Sequence, residues 1–365
     1  MRITVIRTPD VPIGCGAALV ASALAAAGHR VRMVTDAPDA PELVAPRSGP
    51  GALRVQPAAV TGPEDLTAAW ADEPPDVVHA VGPMATAAAA GTGVPVVVAV
   101  PPGTHGPRPP LPAGVARVLA ASEDQHTALL GHGVPRALLR TVPAGVDTDA
   151  YAPDGPSLRR GEHPRLVATG PLEHGSGVAS AIVALSRVPA AELLITGGDP
   201  ADDPDRERLF AAAEDLGVAG RVRFLGPVGA DLLPRLLRSA DVVVAAAKRD
   251  VPATAVLQAM ACARPVVAAA VGGFRDAVVD RVTGLHVRPG TPVELAAAVR
   301  ELLADDAMRI GYGIAGRDRA CSRFDRARIA DALVAVYSEL VPVAAADGPD
   351  DPETATEAEP AGLPG

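Results

Sequence analysis

The stretch KRDVPATAVLQAMACARPVV, residues 248–267, holds polar side chains whose types and spacing could bind a ligand. Asp250 lies in a predicted loop, and Gln258 follows eight positions later in a predicted helix. A carboxylate accepts hydrogen bonds and a carboxamide both donates and accepts them, so the pair could hold hydroxyl groups. Lys248 is the only lysine of the chain, against 32 arginines, and adds a positive charge beside Asp250.

Glycine-rich turns ahead of predicted helices form a second group of candidates. Glycine lets the backbone approach a phosphate or a sugar closely, and a helix N-terminus favours negative charge. A turn that needs glycine only for its backbone angles is the alternative interpretation. The candidates are Gly14 and Gly16 before the first helix, Gly170 and Ser176 in the segment GPLEHGSG, and the later pair Gly272 and Gly273.

Two series of strands and helices carry these residues. Short apolar runs of the first series extend from RITVI (2–6) to LLRTV (138–142), and those of the second from LVATG (166–170) to PVVAAA (265–270). Near-continuous apolar strands separated by helices are typical of a parallel sheet covered on both faces. We therefore expect an α/β protein with two doubly wound domains and a ligand cleft at the carboxyl ends of their strands.

Composition changes along the chain predict its division. The segment APDGPSLRRGEHP is polar and rich in proline and glycine, as linkers are, and the final residues contain few apolar side chains. The predicted parts are an N-terminal domain (1–150), a linker (151–164), a C-terminal domain (165–323), a helix that packs back toward the N-terminal domain (324–340) and a disordered acidic tail (341–365).

The composition narrows the class of protein. Hydrophobic residues make up 48% of the 365 positions, as in a globular protein. The net charge is −10, and six acidic residues from Asp347 onward account for more than half of it. No basic patch interleaved with aromatic residues is present, so we expect no nucleic-acid partner. Apolar runs are too short to span a bilayer and the N-terminus lacks a secretory pattern, which predicts a cytoplasmic protein.

Cysteine usage agrees with that location. Cys15, Cys262 and Cys321 lie far apart and lack the spacing of metal ligands. We therefore expect reduced thiols, no disulfide and no metal site.

Several segments, taken in order and spacing, resemble the retaining glycosyltransferases of the GT-B architecture, the glycogen-synthase-like, group 1 or GT4-type family. The resemblance runs from about residue 2 to 340. It is carried by PIGCGAALVASALAAAGHRVRMVT, DVVHAV, AASEDQHTALLGHGVP, VPAGVDTDAYAPDG, GVAGRVRFLGPV, AMACARPVVAAAVGG and DRVTGLHVRPGTPVELAAAV.

The resemblance implies a function. The N-terminal domain would take an acceptor, and the C-terminal domain a nucleotide-sugar, whose sugar is transferred with retention of configuration. The nucleotide-sugar is a substrate, so neither a cofactor nor a metal is expected. Protein cations and helix N-termini would stabilise the leaving diphosphate.

The chain departs from the family at the diphosphate. The family pattern G-R-x-x-x-x-K-G corresponds to GPLEHGSG, in which Pro171 replaces the arginine and Ser176 the lysine. Each lost contact would cost about 3–4 kcal/mol of leaving-group stabilisation, by analogy with an oxyanion donor. Lys248 or Arg275 could supply the missing charge, and a surface lysine paired with Asp250 is the alternative for Lys248.

The sugar-binding pattern is also altered. The family has two glutamates in an E-x7-E pattern, the first at donor-sugar hydroxyls and the second at the ribose; Asp250 and Gln258 take these places. A family histidine near the reacting carbon is replaced by Pro101, and His105, four residues later, is the candidate substitute. His79, at a predicted strand end, is consistent with either a structural role or a ligand contact.

These departures leave alternatives open. The first is a working glycosyltransferase with an unknown acceptor, which would involve peripheral membrane contact if that acceptor is a lipid. The second is a catalytically impaired relative that binds a ligand or acts as a helper to a protein partner. A sugar-nucleotide epimerase of the same architecture fits less well, since its acid and histidine pattern is not evident.

Overall fold

The computed structural model describes residues 1–11, 16–36, 51–57, 62–104, 111–112, 114–198 and 204–341. Gly14, Cys15 and His105 therefore lie outside the described residues, as does the acidic tail from residue 342 onward. For these three candidates and the tail, the sequence-based predictions stand as they are.

The first half of the chain builds a seven-stranded sheet with helices between its strands. The elements are β1 (Arg2–Arg7), α1 (Ala17–Ala26), β2 (Arg30–Thr35), β3 (Ala52–Pro57), α2 (Pro63–Ala69), β4 (Val77–Val81), α3 (Pro83–Ala89), β5 (Val96–Ala99), β6 (Val115–Ala120), α4 (Glu123–Gly131) and β7 (Leu139–Thr141).

The second half builds a six-stranded sheet and ends in three long helices. Its elements are β8 (Arg165–Thr169), α5 (Val178–Leu185), β9 (Glu192–Thr196), α6 (Pro204–Asp215), β10 (Val222–Gly226), α7 (Leu232–Arg238), β11 (Val242–Ala245), α8 (Thr254–Ala261), β12 (Val266–Ala269), α9 (Gly272–Ala277), β13 (Gly284–Val287), α10 (Pro292–Ala304), α11 (Asp306–Arg319) and α12 (Arg326–Ser338).

The topology of both sheets confirms the α/β expectation. The strand orders are β3-β2-β1-β4-β5-β6-β7 and β10-β9-β8-β11-β12-β13. All the pairings are parallel; for example, Ile3 pairs with Val31 on one side and with Val77 on the other. In each sheet the order reverses beside the first strand, which is where doubly wound folds open a crevice at the carboxyl ends of their strands.

Three elements were not expected from the sequence. Strand β3 has an alternately exposed pattern, and β13 has only four residues. Helix α11 contains Gly311, Gly313 and Gly316, and glycine is unfavourable inside a helix. Gly313 nevertheless has a packing reason, because a side chain there would place its Cβ 2.3 Å from the carbonyl oxygen of Ala263.

The chain crosses between the two sheets twice, and the crossings are bonded to each other. The N–H of Val146, after β7, donates to the carbonyl of Phe324 at 2.8 Å, and the N–H of Arg326 returns a bond to the carbonyl of Val146 at 2.9 Å. The hydroxyl of Thr148 donates to the Asp325 carboxylate at 2.5 Å. We call this pair of segments, residues 142–151 and 317–326, the crossing junction.

Arg317 ties the crossing junction to the C-terminal domain. Its Nη1 donates to the carbonyls of Thr148, Tyr151 and Ala261 at 2.8–3.0 Å. Because a guanidinium has its donors in a rigid plane, one side chain fixes the crossing segment against helix α8.

Helix α12 returns to the N-terminal sheet. Ile329, Leu333 and Tyr337 are 3% exposed or less and belong to the same apolar cluster as Ile3 and Leu24 of the N-terminal domain. The Tyr337 hydroxyl lies 2.7 Å from Nδ1 of the buried His79 on β4. Burial lowers the pKa of His79 to about 4, so the ring is neutral at neutral pH.

Among the described residues, no helix has the length and apolar character to cross a membrane.

Tyr337→Phe should destabilise the protein by about 1–3 kcal/mol, because it leaves a buried ring nitrogen of His79 without its partner. Urea unfolding measures this loss. Tyr312→Phe, a change of the same atoms at a partly exposed site on α11, should stay within about 0.5 kcal/mol. Equal stability of Tyr337→Phe and the unaltered chain would show that the buried pair is not a net stabilising contact.

Candidate functional site

A cavity of about 990 Å³ lies between the two domains, over the crossing junction. Its walls come from the carboxyl ends of β4, β5 and β6, from α1 and α12, and from the C-terminal residues that precede α7 and α8. The volume is at the upper end of the range of small-molecule sites. The cleft therefore has the location that the sequence predicted, where strand ends from one domain face the other.

The N-terminal side of the cavity is mostly aliphatic. Leu19 and Val20 of α1 and Leu333 of α12 line it, together with alanines and prolines at the strand ends. Gly16 begins α1 with φ +85°, a conformation that favours glycine, and a side chain there would meet no described atom within 4 Å. Gly16 therefore borders open space in the cleft, at the N-terminus of the helix.

The C-terminal side of the cavity offers polar atoms. Thr254 and Gln258 of α8 line it, with Tyr151 from the crossing junction between them. The Gln258 amide donates to the Tyr151 hydroxyl at 3.0 Å. This bond orients the amide, and its carbonyl oxygen remains able to accept a hydrogen bond from a ligand hydroxyl.

The arginine side chains among the described residues that line the cavity are engaged with protein groups. Arg326 forms ion pairs with Asp147 at 2.6 Å and Asp149 at 3.1 Å. Arg238 donates to the carbonyls of Ala152 and Pro156 at 3.0 and 2.9 Å. Both guanidiniums thus already have acceptors from the chain itself.

Asp250 lies where the two domains touch, outside the lining of the cavity. Its carboxylate accepts from the backbone N–H of Gly273 at 3.4 Å and from that of Gly103. A side chain at Gly103 would place its Cβ 2.8 Å from the Asp250 carbonyl oxygen, so the loop after β5 rests on this residue. Burial raises the pKa of Asp250, and the nearby carboxylates of Asp124 and Asp276 add to the effect.

The glycine pair is occupied by carboxylates from the protein. The N–H of Gly272 donates to Asp124 Oδ2 at 2.8 Å, across the domain boundary. Gly272 has φ +47°, and a side chain there would place its Cβ 1.8 Å from Asp250 Oδ1, so only glycine fits. Asp124 and Asp250 thus take the backbone donors that the sequence analysis considered for a phosphate.

Two more contacts complete this patch, which we call the interdomain latch (Asp124, Asp250, Gly272, Arg275 and Asp276). Arg275 donates to Asp124 Oδ1 at 2.9 Å, and the N–H of Glu123 donates to Asp276 Oδ2 at 2.9 Å. Burial raises the pKa of Asp276, and the charges of Glu123 and Asp124 contribute. Of the three carboxylates at this contact, only Asp124 is ion-paired with Arg275 among the described residues.

The loop GPLEHGSG packs beside the segment that holds Lys248. The N–H of Lys248 donates to the carbonyl of Gly175 at 2.8 Å, while its side-chain carbons run beside Gly290. No ion pair joins Lys248 to Asp250 in the described part of the chain. The hydroxyl oxygens of Thr169 and Ser176 are buried and have no hydrogen-bond partner among the described residues.

Arg249 is a charged residue of this region that the sequence analysis did not select. Its guanidinium lies 3.8 Å from the position of a Cβ on Gly175, and it is paired with Glu173 of the same loop. Both side chains of the pair are about half exposed, at 52% and 54%. The arginine next to Lys248 could have been read from the sequence, but the direction of its side chain could not.

The structure thus separates the candidates into three places. Gly16 and Gln258 border the cavity; Asp250, Gly272 and Gly273 belong to the domain contact; Gly170, Ser176 and Lys248 surround the loop before α5. His79 lies at the floor of the cavity but is bonded to Tyr337. Within the described ranges, no three histidine, cysteine or acidic side chains are grouped so as to hold a metal ion.

Asp124→Asn should loosen the interdomain latch, because it removes the charge that Gly272 and Arg275 share. The free energy of opening at the Gly272 amide, measured by hydrogen exchange, should fall by about 1 kcal/mol. The amide should therefore exchange roughly fivefold faster. Glu301→Gln removes a comparable ion pair with Arg281 inside the C-terminal domain and serves as the control. Unchanged exchange at Gly272 in Asp124→Asn would contradict the role given to this carboxylate.

Asp250→Asn should stabilise the protein at neutral pH. Because its pKa is raised in the folded state, the folded chain binds the proton more tightly, and stability falls as the pH rises through that pKa. The variant should therefore melt at a higher temperature than the unaltered chain at pH 7. The difference should shrink as the pH falls toward 3.8, the ordinary value for an aspartate. A melting temperature of Asp250→Asn that is equal to or below that of the unaltered chain at pH 7 would contradict this expectation.

Comparison with known families gives two matches, one for each half of the chain. Residues 17–150 match the family described as Glycosyltransferase Family 4, and residues 163–305 match the one described as Glycosyl transferases group 1. The two matched regions correspond to the two sheets, on either side of the first crossing segment.

Relatives of similar sequence carry glycosyltransferase names. A D-inositol 3-phosphate glycosyltransferase of Geodermatophilus obscurus is 36% identical over 253 residues, 61% of this chain and 52% of that protein. A GDP-mannose-dependent alpha-(1-6)-phosphatidylinositol monomannoside mannosyltransferase of Mycolicibacterium smegmatis is 36% identical over 222 residues, 54% of this chain and 57% of that protein. The chain thus spans about half the length of these curated relatives.

Solved structures share the whole two-domain arrangement. An Anabaena protein, HepE, in complex with UDP-glucose superposes with a TM-score of 0.77 at 21% identity, over 93% of this chain and all of that one. A sucrose-phosphate synthase of Thermosynechococcus elongatus gives 0.76 at 21% identity, over 93% and 99%. At this identity the likeness concerns the fold, and it confirms the GT-B architecture predicted from the sequence.

Proposed function

We propose that this chain, which belongs to the group 1 glycosyltransferases of the GT4 type, moves a sugar from a nucleotide-sugar to an acceptor held between its domains. The observation that carries the proposal is the 990 Å³ cleft at the strand ends, with Gln258 and Tyr151 on its C-terminal wall. Solved relatives of the same fold include one in complex with UDP-glucose. Transfer proceeds with retention of configuration and without a metal.

The nucleotide lies against the C-terminal domain in this proposal. The amide oxygen of Gln258 accepts a hydrogen bond from a ribose hydroxyl, while its amide nitrogen donates to the Tyr151 hydroxyl. The neutral amide binds a hydroxyl less strongly than a carboxylate would, because the charge-assisted part of the hydrogen bond is absent. Donor affinity thus depends more on the contacts of the diphosphate.

Arg249 is the main cation for that diphosphate. Its guanidinium already lies against Gly175, in the loop that precedes α5, where it is bound to the carboxylate of Glu173. A diphosphate carries more charge than a carboxylate and accepts two parallel hydrogen bonds from a guanidinium, so it displaces Glu173. The unpartnered Ser176 hydroxyl would gain an acceptor when the loop closes around the anion.

Asp250 binds hydroxyls of the donor sugar only after a local rearrangement. Its carboxylate is now engaged with the backbone of Gly273 and Gly103, and the second of these belongs to the N-terminal domain. A sugar that reaches Asp250 must therefore move the loop after β5. This loop carries Pro101 at the border of the cavity.

Calorimetric titration with UDP, GDP and ADP and with their sugars tests the proposal. At least one nucleotide should bind, and in the absence of an acceptor water should slowly hydrolyse its sugar conjugate to free sugar and nucleoside diphosphate. Binding without any release after exhaustive incubation with candidate acceptors would favour a ligand-binding or helper protein instead. No binding to any of the nucleotides would overturn the proposal.

Arg249→Gln should weaken binding of the nucleotide by about 1.5 kcal/mol or more, roughly tenfold, since hydrogen bonds to charged groups are worth about 1.5–3 kcal/mol. Lys248→Ala should change the affinity less, because the lysine side chain runs beside Gly290. Arg281→Gln removes a half-exposed guanidinium paired with Glu301 and should leave the affinity unchanged. A larger loss in Lys248→Ala than in Arg249→Gln would reverse the assignment.

A further inference from the structure

Helix α7 presents two charged side chains to the cleft. Asp231, which immediately precedes the helix, and Arg238, its last residue, both line the cavity. The backbone of Asp231 is already helical, with φ −80° and ψ −28°, and side chains seven positions apart on a helix share a face. Pro234 lies between them on that face, is itself buried, and borders the same cavity. This face of α7 is therefore turned toward the cleft.

The carboxylate of Asp231 is available to a ligand. It makes no capping hydrogen bond to α7, and no described residue donates to it or forms an ion pair with it. The residue is exposed, and the cavity is what it is exposed to. Both carboxylate oxygens can therefore accept hydrogen bonds from a molecule bound in the cleft.

The guanidinium of Arg238 is held on one edge and open on the other. Its Nε donates to the carbonyl of Pro156 at 2.9 Å, and its Nη1 donates to the carbonyl of Ala152 at 3.0 Å. Its Nη2 donates to no described residue, and no described carboxylate is paired with the side chain. The two carbonyls thus fix a planar, positively charged group whose remaining N–H donors are unused.

These two groups lie on the same wall as the proposed ribose contact. Arg238 donates to the carbonyl of Ala152, and the preceding residue, Tyr151, accepts the hydrogen bond from Gln258. Asp231, Arg238 and Gln258 also line one cavity. A nucleotide whose ribose is bound at Gln258 would therefore have its base beside α7.

Guanine is the common base whose polar edges match both groups. Its N1–H and N2 amino groups are neighbouring donors that suit a carboxylate, and its O6 and N7 are neighbouring acceptors that suit a guanidinium. Adenine has an amino group beside N7, and uracil has no N7, so neither offers the same two pairs. Seven helical residues advance about 10.5 Å, a length comparable to that of guanine with a hydrogen bond at each end.

We propose that the donor is a sugar conjugate of guanosine diphosphate, whose N1–H and N2 amino groups bind Asp231 and whose O6 and N7 bind Arg238. This inference rests on the proposed function and specifies the base of its donor. Asp231 and Arg238 determine the base specificity, whereas Gln258 contacts a ribose that every nucleotide has.

Calorimetric titration of the unaltered chain with nucleoside diphosphates tests the inference. GDP should bind at least about tenfold more tightly than UDP or ADP. Two analogues examine the contacts one at a time without any substitution in the protein. Inosine diphosphate lacks the amino group that binds Asp231, and 7-deaza-GDP lacks the N7 that binds Arg238, so each should bind about fivefold or more weakly than GDP.

A variant shows whether Asp231 is the partner of the amino group. Asp231→Asn should weaken GDP about tenfold, bring the affinities of GDP and inosine diphosphate close together, and leave the affinity for UDP unchanged. Asp215→Asn, at an exposed site on α6 outside the lining of the cavity, should leave all of these affinities unchanged.

Three results would overturn the inference: binding of UDP or ADP as tight as that of GDP, equal binding of GDP and either analogue, or an unchanged affinity for GDP in Asp231→Asn. The same titrations distinguish this failure from that of the proposed function. If UDP or ADP binds and Arg249→Gln weakens it, the transferase proposal stands while the guanine inference falls. If no nucleotide binds, both fall together.

Discussion

Hydrogen bonds between the two segments of the crossing junction fix the position of one domain relative to the other. Val146 exchanges backbone hydrogen bonds with Phe324 and Arg326, and Arg317 holds the first crossing segment against α8. The cavity is built directly on this junction, because its floor contains residues 142–147 and its walls include α12. The junction thus brings an aliphatic surface from one domain and the Gln258 amide from the other to one cleft, although they are distant in sequence.

The interdomain latch, where the two domains touch, is built differently from the crossing junction. The junction consists of backbone hydrogen bonds and the Arg317 contacts, whereas the interdomain latch consists of carboxylates at backbone N–H groups with one guanidinium beside Asp124. Burial raises the pKa values of Asp250 and Asp276, and neighbouring carboxylates add to the effect. Buried charged contacts are often no more stabilising than apolar contacts of similar volume, so this contact adds less stability than an apolar one of the same size would. In the proposed function, a sugar reaches Asp250 only after the loop after β5 has moved, because Gly103 rests on Asp250.

The sequence predicted the strands well because buried parallel strands are almost purely apolar, and the confirmed GT-B fold follows from their order. It did not predict β3, β13 or α11, because β3 is partly exposed, β13 (Gly284–Val287) contains a glycine and a histidine, and α11 contains three glycines. Gly313 and Gly316 of α11 allow close packing on α8 and on the residues after it, a tertiary effect that local propensity does not contain. The spacing of Asp250 and Gln258 could be read from the sequence. That Asp250 contacts Gly103 and Gln258 contacts Tyr151 could not. Asp124 could not have been chosen, since its partner Gly272 is 148 residues away.

A crystal structure with the bound nucleoside diphosphate would test the site assignment most directly. The account predicts the ribose within hydrogen-bond distance of Gln258 and the diphosphate beside Gly175, with Arg249 turned from Glu173 toward the phosphates. A nucleotide bound elsewhere, with Arg249 still on Glu173 and Gln258 bonded only to Tyr151, would contradict it.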